Sequence, residues 1–197
     1  MRKFAILLVL VFAAAPVHAF EERPPLVIDF IIDASLQARF ANGEDLREHI
    51  NDLVSRASMI FNAGIGRKIA IGELVFATPP GDGETLYVDK TFEWLERQKK
   101  ALGKNRFLIL LTYRFLYKNP SALPWDGGAD KANGLAIVVH YSIDVQRISS
   151  TLLHEIGHLC GARHSEDKSS IMYENNNDSA TPLSFKEYTS LVREQCG

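Results

Sequence analysis

Residues 154–164 read HEIGHLCGARH, so three histidines, one glutamate and two glycines fall within eleven positions. Imidazole nitrogens are common ligands of transition metals, which raises the question of a shared ion. His154 and His158 are four residues apart, and on an α-helix this spacing places both on one face, about 40° apart around the axis. Gly161 can adopt the positive φ that ends a helix and turns the chain, after which His164 can return as a third ligand.

The chemistry of the three histidines predicts Zn²⁺ as the cofactor. Zinc with three neutral nitrogen ligands keeps a fourth position for water, as in catalytic sites, whereas structural zinc usually has four protein ligands. Cys160 is not expected to be the fourth, because it lies about 140° around the helix from the two histidines. Glu155 lies about 100° from His154, close enough to act on a water molecule without being a ligand. The pattern therefore predicts His154, His158 and His164 as ligands and Glu155 as the catalytic residue.

Residues 1–19 have the pattern of a secretory signal peptide. The segment begins with Arg2 and Lys3, continues with an apolar run over 4–15, and ends on small residues at Ala19. The alternative is an uncleaved membrane anchor, but the apolar run is shorter than the roughly 20 residues that span a bilayer. We expect cleavage after Ala19, no integral membrane segment in the mature chain, and a secreted or periplasmic location.

The remaining residues, 20–197, are enough for one domain with a sizeable core. The whole chain has 22 basic and 24 acidic residues, a formal charge of −2, and removing Arg2 and Lys3 makes it −4. This balance predicts no nucleic-acid partner, and we expect a monomer. Cys160 and Cys196 are the two cysteines. An even count in an exported chain favours one disulfide, with two buried thiols as the alternative.

Strand and helix patterns alternate along the chain, which predicts an α/β sandwich. The predicted strands are residues 24–33, 68–76, 106–112 and 134–141. The predicted helices are residues 44–63, 91–102, 148–160 and 184–196. The first strand is apolar on both faces and is therefore expected to be central in the sheet. Residues 119–133 read as a long loop, and its acidic stretch 126–130 lacks the ligand spacing of a calcium site.

The extended histidine motif is that of the metzincins, and the protein resembles this clan of zinc endopeptidases. A second hallmark of the clan is a tight turn with a methionine beneath the zinc, and residues 170–173 (SIMY) resemble it, with Met172 as the methionine. The order of segments is most similar to the reprolysin (adamalysin) catalytic domain, from LVIDFIID at 26–33 to FKEYTSLVREQC at 185–196. Ser165, after the third histidine, is a matrixin-like feature, and the usual several reprolysin disulfides are missing.

This resemblance implies a zincin sandwich over residues 20–197, with a twisted, mostly parallel sheet, an edge strand, a zinc helix and a C-terminal helix. In this clan the substrate, a peptide or protein, lies extended along the edge strand that precedes the zinc helix. Residues 134–141 occupy that position, so we expect them to be the edge strand. A Cys160–Cys196 disulfide would then join the zinc helix to the C-terminal helix.

The function implied by the resemblance is that of a secreted zinc-dependent endopeptidase. Zinc would polarise the scissile carbonyl, and Glu155 as general base would take a proton from water and pass it to the leaving amine. The alternative is a secreted zinc-binding interaction module without proteolysis, although a structural site has no need for the carboxylate of Glu155. His140 could line the cleft, though strand histidines are more often satisfied surface residues. His49 is expected to be solvated.

Overall fold

The computed structural model describes residues 23–103, 105–140, 144–174 and 196. Its elements in chain order are β1 (Leu26–Ile32), α1 (Ala34–Gln37), α2 (Gly43–Ile65), β2 (Ile69–Phe76), β3 (Thr85–Tyr87), α3 (Val88–Leu102), β4 (Phe107–Thr112), β5 (Phe115–Tyr117), β6 (Gly127–Asp130), β7 (Leu135–Val139) and α4 (Val145–Leu159). The signal-peptide segment and the predicted helix 184–196 lie outside the described residues, apart from Cys196.

Five strands form the main sheet, in the order β2-β1-β4-β7-β6, and β3 and β5 form a small second sheet. Strand β6 runs antiparallel to β7, while the other pairs in the main sheet are parallel. Strand β1 lies inside the sheet, between β2 and β4, as its two apolar faces predict. The predicted mostly parallel α/β sandwich is confirmed.

Apolar side chains cover both faces of the sheet and divide the core in two. On one face, Phe30 of β1 and Val138 of β7 pack in a cluster with α2 and α4. On the other face, Ile31 and Ile137 pack with Leu95 of α3. Each fully buried aliphatic side chain contributes about 1.5–3 kcal/mol relative to exposure, so the central strands are fixed between two helical layers.

Helix α2 shows how local signals set the length of an element. The side chain of Asn42 caps its start, accepting hydrogen bonds from the backbone N–H groups of Glu44 (2.8 Å) and Asp45 (2.9 Å). Gly66 ends it with a φ of 75°, a conformation that favours glycine. The helix buries one stripe of side chains at helical spacing, namely Leu46, Ile50, Leu53, Val54, Ala57, Phe61 and Ile65.

The prediction that residues 134–141 form the edge strand is wrong. Strand β7 pairs with β4 on one side and with β6 on the other, and all five of its residues are buried. The edge strand next to it is β6, which lies inside the segment predicted to be a loop. Its sequence, GGAD, has low β propensity and no apolar alternation. It can still pair with β7, because the pairing uses backbone groups and not side chains.

Cys160 and Cys196 form a disulfide, with their Cα atoms 5.5 Å apart. Cys160 is fully buried at the end of α4, and Cys196 is 2% exposed. The predicted pairing is therefore present, and the bond closes a loop that contains the turn at 170–173. No helix of the described part of the chain is long and apolar enough to cross a membrane.

Replacing both cysteines in a Cys160→Ala/Cys196→Ala variant should lower the free energy of unfolding by about 2–4 kcal/mol. The reason is that the bond restricts the unfolded chain across a sequence separation of 36 residues. Urea unfolding followed by circular dichroism measures the loss. The wild type under reducing conditions is the control and should match the variant. Identical unfolding midpoints for the oxidised and reduced wild type would contradict the expectation.

Candidate metal centre

Helix α4 carries two of the three motif histidines and the glutamate. The side chain of Asp144 caps its start by accepting a hydrogen bond from the backbone N–H of Gln146 at 2.9 Å. Its buried residues are Ile148, Ser149, Leu152, Leu153, Glu155, Ile156, Gly157 and Leu159. Because this stripe fixes the helix against α2, β6 and β7, the rotation of the two histidines about the helix axis is fixed as well.

The chain turns sharply after α4 and brings back the third histidine. Gly161 has a φ of 92°, which permits the turn, and the backbone N–H of Ala162 donates to the carbonyl of Gly157 at 2.9 Å. Farther along, the backbone N–H of Ser165 donates to the carbonyl of Met172 at 2.8 Å. His164 therefore lies between two backbone hydrogen bonds, which fix its position in the chain.

The three histidines converge on one point, as their spacing predicts. The Nε2 atom of His158 is 3.0 Å from that of His154 and 3.1 Å from that of His164. Around a tetrahedral zinc, nitrogen ligands at 2.0–2.1 Å from the ion would lie about 3.3 Å apart, close to these distances. Among the described residues, the side chains of His154, His158 and His164 form a group that could hold one metal ion.

Hydrogen bonds at the far side of two rings set their tautomers. The Nδ1 atom of His154 is 2.7 Å from the carbonyl oxygen of Ile171, and that of His158 is 2.9 Å from the carbonyl oxygen of Ala162. A carbonyl only accepts, so each Nδ1 carries the proton and each neutral ring has its lone pair on Nε2. Two lone pairs thus face each other at 3.0 Å, an arrangement that suits a shared cation.

Burial keeps these rings in the neutral form that binds metals. In the metal-free chain, burial lowers the pKa of His154 to about 4, while the bond to Ile171 raises it and the neighbouring His158 and His164 lower it further. Burial also lowers the pKa of His158, opposed by its bond to Ala162. Because a lowered pKa favours the neutral rings of His154 and His158, a metal ion at these two nitrogens would compete with few protons.

Glu155 lies beside the triad in a dry environment. Its residue is 5% exposed, and its Oε2 atom has no hydrogen-bond partner in the described part of the chain. In the metal-free chain, burial raises the pKa of its carboxyl group to about 8, and the nearby Asp126 raises it further. A cation bound by the histidines would favour the charged carboxylate. The charge of this side chain therefore depends on whether a cation is bound beside it.

These residues line a cleft of about 700 Å³ between β6 and α4. The segment 124–129 forms one wall, and residues 161–164 and Tyr173 also line the cleft. Asp126 is in this wall, with a carboxylate oxygen 3.8 Å from a guanidinium nitrogen of Arg147. The cleft therefore follows the edge strand and passes over the three histidines.

The SIMY segment forms the predicted tight turn. The backbone N–H of Tyr173 donates to the carbonyl of Ser170 at 3.1 Å, and that of Met172 donates to the Ser170 hydroxyl oxygen at 3.1 Å. Met172 is 1% exposed and belongs to the core cluster that includes α4. Because the carbonyl oxygen of Ile171 accepts a hydrogen bond from Nδ1 of His154, the turn also orients a ring of the triad.

The other two histidines singled out in the sequence lie elsewhere. His140, which could have lined the cleft, is 1% exposed at the end of β7 and is not among the cleft residues. Its Nε2 atom is 2.9 Å from that of His49 on α2. His49, predicted to be solvated, is half-buried and also contacts the ring of Phe40. His140 therefore has a polar partner, as the favoured interpretation has it, but it is buried and not at the surface, and the alternative that it lines the cleft is not supported. The expectation that His49 is solvated is wrong, because the end of β7 meets α2 there.

Several residues of the cleft carried no signal in the sequence. Strand β6, with Gly127 and Gly128, and the carbonyl groups of Ile171 and Ala162 were not recognised as parts of the site. A backbone carbonyl has no residue-type signature, and two glycines beside an aspartate read as a turn. The available signal is the pair of adjacent glycines, since a glycine in a strand can mark a place where another group comes close to the backbone.

Comparison with protein-family models gives one match over most of the chain. A model of metallo-peptidase family M12 (Reprolysin_5) matches residues 26–191. Comparison with curated protein sequences gives no significant match.

Solved structures share the fold at low sequence identity. A zinc-dependent peptidase from Methanocorpusculum labreanum is 20% identical, with a TM-score of 0.58, covering 86% of this chain and 100% of its own. Archaemetzincin from Methanopyrus kandleri is 16% identical, with a TM-score of 0.55 and 86% of each chain covered. Metalloproteinase-II from Bacteroides fragilis is 18% identical, with a TM-score of 0.56, covering 92% of this chain and 55% of its own.

In the metal-free protein, we expect His154 to stay neutral well below the ordinary histidine pKa. Protonation should begin only as the pH falls towards about 4, because the folded site withholds water from the ring. Between that value and the ordinary pKa, the unfolded chain binds a proton that the folded chain does not, so this group alone makes the metal-free fold less stable as pH falls. Long-range ¹H–¹⁵N NMR spectra of chelator-treated protein report the tautomer directly. A titration midpoint near 6.5 would contradict the burial argument.

Proposed function

The chain belongs to metallo-peptidase family M12 and is a zinc-dependent peptidase of the metzincin type, and from that premise we propose that it is a secreted or periplasmic endopeptidase. In this proposal His154, His158 and His164 bind the zinc. Glu155 is the general base, and Met172 supports the site from the turn below it. The family match to a reprolysin model favours the reprolysin-like subtype over the matrixin-like one.

The ligand assignment is supported by the hydrogen bonds of the rings themselves. Because the Nδ1 atoms of His154 and His158 donate to carbonyls, their Nε2 lone pairs point at one another and need a cation between them. When bound there, zinc supplies Lewis-acid polarisation of the scissile carbonyl and makes water more acidic. This convergence of lone pairs is the observation that carries the proposal.

Glu155 has the position and the environment of a general base. Its carboxyl group is buried beside the triad, and its Oε2 atom lacks a hydrogen-bond partner among the described residues. That oxygen is free to take a proton from the attacking water and to return it to the leaving amine. Burial raises the pKa of Glu155, which strengthens its affinity for the proton during the reaction.

The substrate is proposed to be a peptide in extended conformation along β6. In the described part of the chain, β6 pairs with β7 on one side, and the cleft residues 124–129 run along this edge. A free strand edge offers N–H and C=O groups that a peptide can pair with as an added strand. Such pairing holds the substrate by its interior backbone and not by its ends, which favours an endopeptidase.

Export is supported by two features that are independent of the zinc site. The first is the signal-peptide pattern of residues 1–19. The second is the disulfide between Cys160 and Cys196, since such bonds persist in oxidising compartments and are rare in the cytosol.

The competing function, a zinc-binding interaction module, has a weaker basis. A module that only docks partners gains nothing from a buried carboxylate without a hydrogen-bond partner, because such a group costs about 1–3 kcal/mol or more of stability. In the described structure the Oε2 atom of Glu155 is buried without such a partner. Its retention beside the triad favours hydrolysis.

We expect one zinc ion per chain in protein recovered from the exported fraction, with Phe20 as its N-terminal residue. His158→Ala should lose the zinc, because this ring contacts both other members of the triad. Elemental analysis by mass spectrometry, with N-terminal sequencing, measures both. His49→Ala is the matched control, since it removes an imidazole outside the cleft and should retain the zinc. Full zinc content in His158→Ala would refute the ligand assignment.

Glu155→Gln should keep the zinc and the melting temperature but lose about 10²–10⁴-fold in kcat, the usual contribution of a general base. The amide is similar in size to the carboxylate but cannot take the proton. Cleavage of a fluorogenic peptide library, with mass spectrometry of the products, measures the rate and locates the cut bonds. If Glu155→Gln stays within tenfold of the wild type, another residue is the base. If the wild type cleaves no peptide, the interaction module is favoured.

A further inference from the structure

Gly127, the first residue of β6, lies against the carboxyl group of Glu155. A Cβ atom placed on Gly127 would be 2.5 Å from Oε1 of Glu155 and 3.0 Å from its Cδ atom. The same Cβ would be 2.9 Å from the carbonyl oxygen of Ile137 on β7. Real Cβ atoms essentially never approach other atoms within 3.0 Å, so any side chain here would displace its neighbours.

Backbone conformation does not explain this glycine. Gly127 is not among the glycines with positive φ, so its backbone is open to other residues. Its neighbour Gly128 has room, since a Cβ there would meet only the rings of Phe92 at 3.9 Å and Trp125 at 4.0 Å, which is ordinary contact. Successive strand residues face opposite sides of the sheet, so the tight contact is confined to the side that faces Glu155.

Packing contacts of this kind matter for the carboxyl group because one of its oxygens has no hydrogen bond within the described residues to orient it. Its Oε2 atom has no hydrogen-bond partner in the described part of the chain, whereas catalytic groups are commonly held by hydrogen bonds from surrounding residues. The backbone of β6 at Gly127 is the surface that the carboxyl group rests on. A methyl group there would push the carboxyl group by about 1 Å, a misplacement that can reduce a rate by 10².

We infer that Gly127 is a positioning residue: by lacking a side chain, it lets the edge strand hold the Glu155 carboxyl group in place within the cleft. This inference rests on the proposed role of Glu155 as general base. Strand β6, which is proposed to pair with the substrate, would then also position the carboxyl group of the general base. Substrate binding and proton transfer would then share one backbone segment.

The test introduces Gly127→Ala into the wild type and into a Glu155→Ala background. In the wild type, the variant should retain one zinc ion, while kcat falls by about 10–100-fold and KM changes much less. The melting temperature should fall in the wild type and fall less in the Glu155→Ala background, because the clash with the carboxyl group is then absent. Gly128→Ala, the matched methyl addition on the same strand, should change the melting temperature equally in both backgrounds.

Three outcomes would overturn the inference. One is a kcat within twofold of the wild type at full zinc content. Another is a rise in KM at unchanged kcat, which would place Gly127 in substrate pairing alone. The third is an equal fall in melting temperature in both backgrounds, which would assign the contact to the Ile137 carbonyl.

Two further results are also informative. If Gly127→Ala fails to fold, the Gly127→Ala/Glu155→Ala double variant decides: recovery of folding and zinc supports the inference, and continued failure overturns it. If the wild type cleaves no peptide, the proposed function fails, but the difference in melting temperature between the backgrounds still tests the contact, because it requires no activity.

Discussion

The site depends on two hydrogen bonds from imidazole Nδ1 atoms to backbone carbonyls. His154 donates to Ile171 at 2.7 Å and His158 to Ala162 at 2.9 Å. Each bond fixes a tautomer and a ring orientation, so that the Nε2 lone pairs meet at one point. Each also joins α4 to the chain that follows it, at the turn after the helix and at the 170–173 turn. The same two contacts therefore organise both the chemistry and the local fold.

The sheet explains why the cleft is located at β6. Strands β1, β4 and β7 are covered on both faces by apolar side chains and have partners on both edges, so they offer no surface to a ligand. Strand β6 is short, contains two glycines and runs antiparallel at the border of the sheet. Its residues are partly exposed, and α4 lies against it. The described sheet has two edge strands, β2 and β6, and it is β6 that packs against α4, so the cleft lies at that edge.

Charge and burial act together around Glu155. A buried carboxyl group next to Asp126 has a raised pKa, and its orientation comes from packing against Gly127. A cation on the three histidines offsets the cost of a negative charge in this dry place. The fold thus holds a destabilised group beside the position where a metal would compensate it, and groups with perturbed pKa values cluster at functional sites.

The sequence by itself determined the triad, the tight turn at Met172 and the central strands. These features depend on local periodicity: a four-residue helical step for His154 and His158, a glycine for the turn to His164, and unbroken apolar runs for buried strands. Tertiary structure decided which strands are neighbours in the sheet and which distant segments pack against these features. Strand β6 escapes sequence patterns because GGAD has no apolar alternation and pairs through its backbone. The edge position of β7 is an expectation from the resemblance alone, and its unbroken apolar run LAIVV is typical of the internal strand that the structure shows. The partnership of His49 with His140, and the contact of Gly127 with Glu155, likewise join segments far apart in the chain, and only their packing brings them within contact distance.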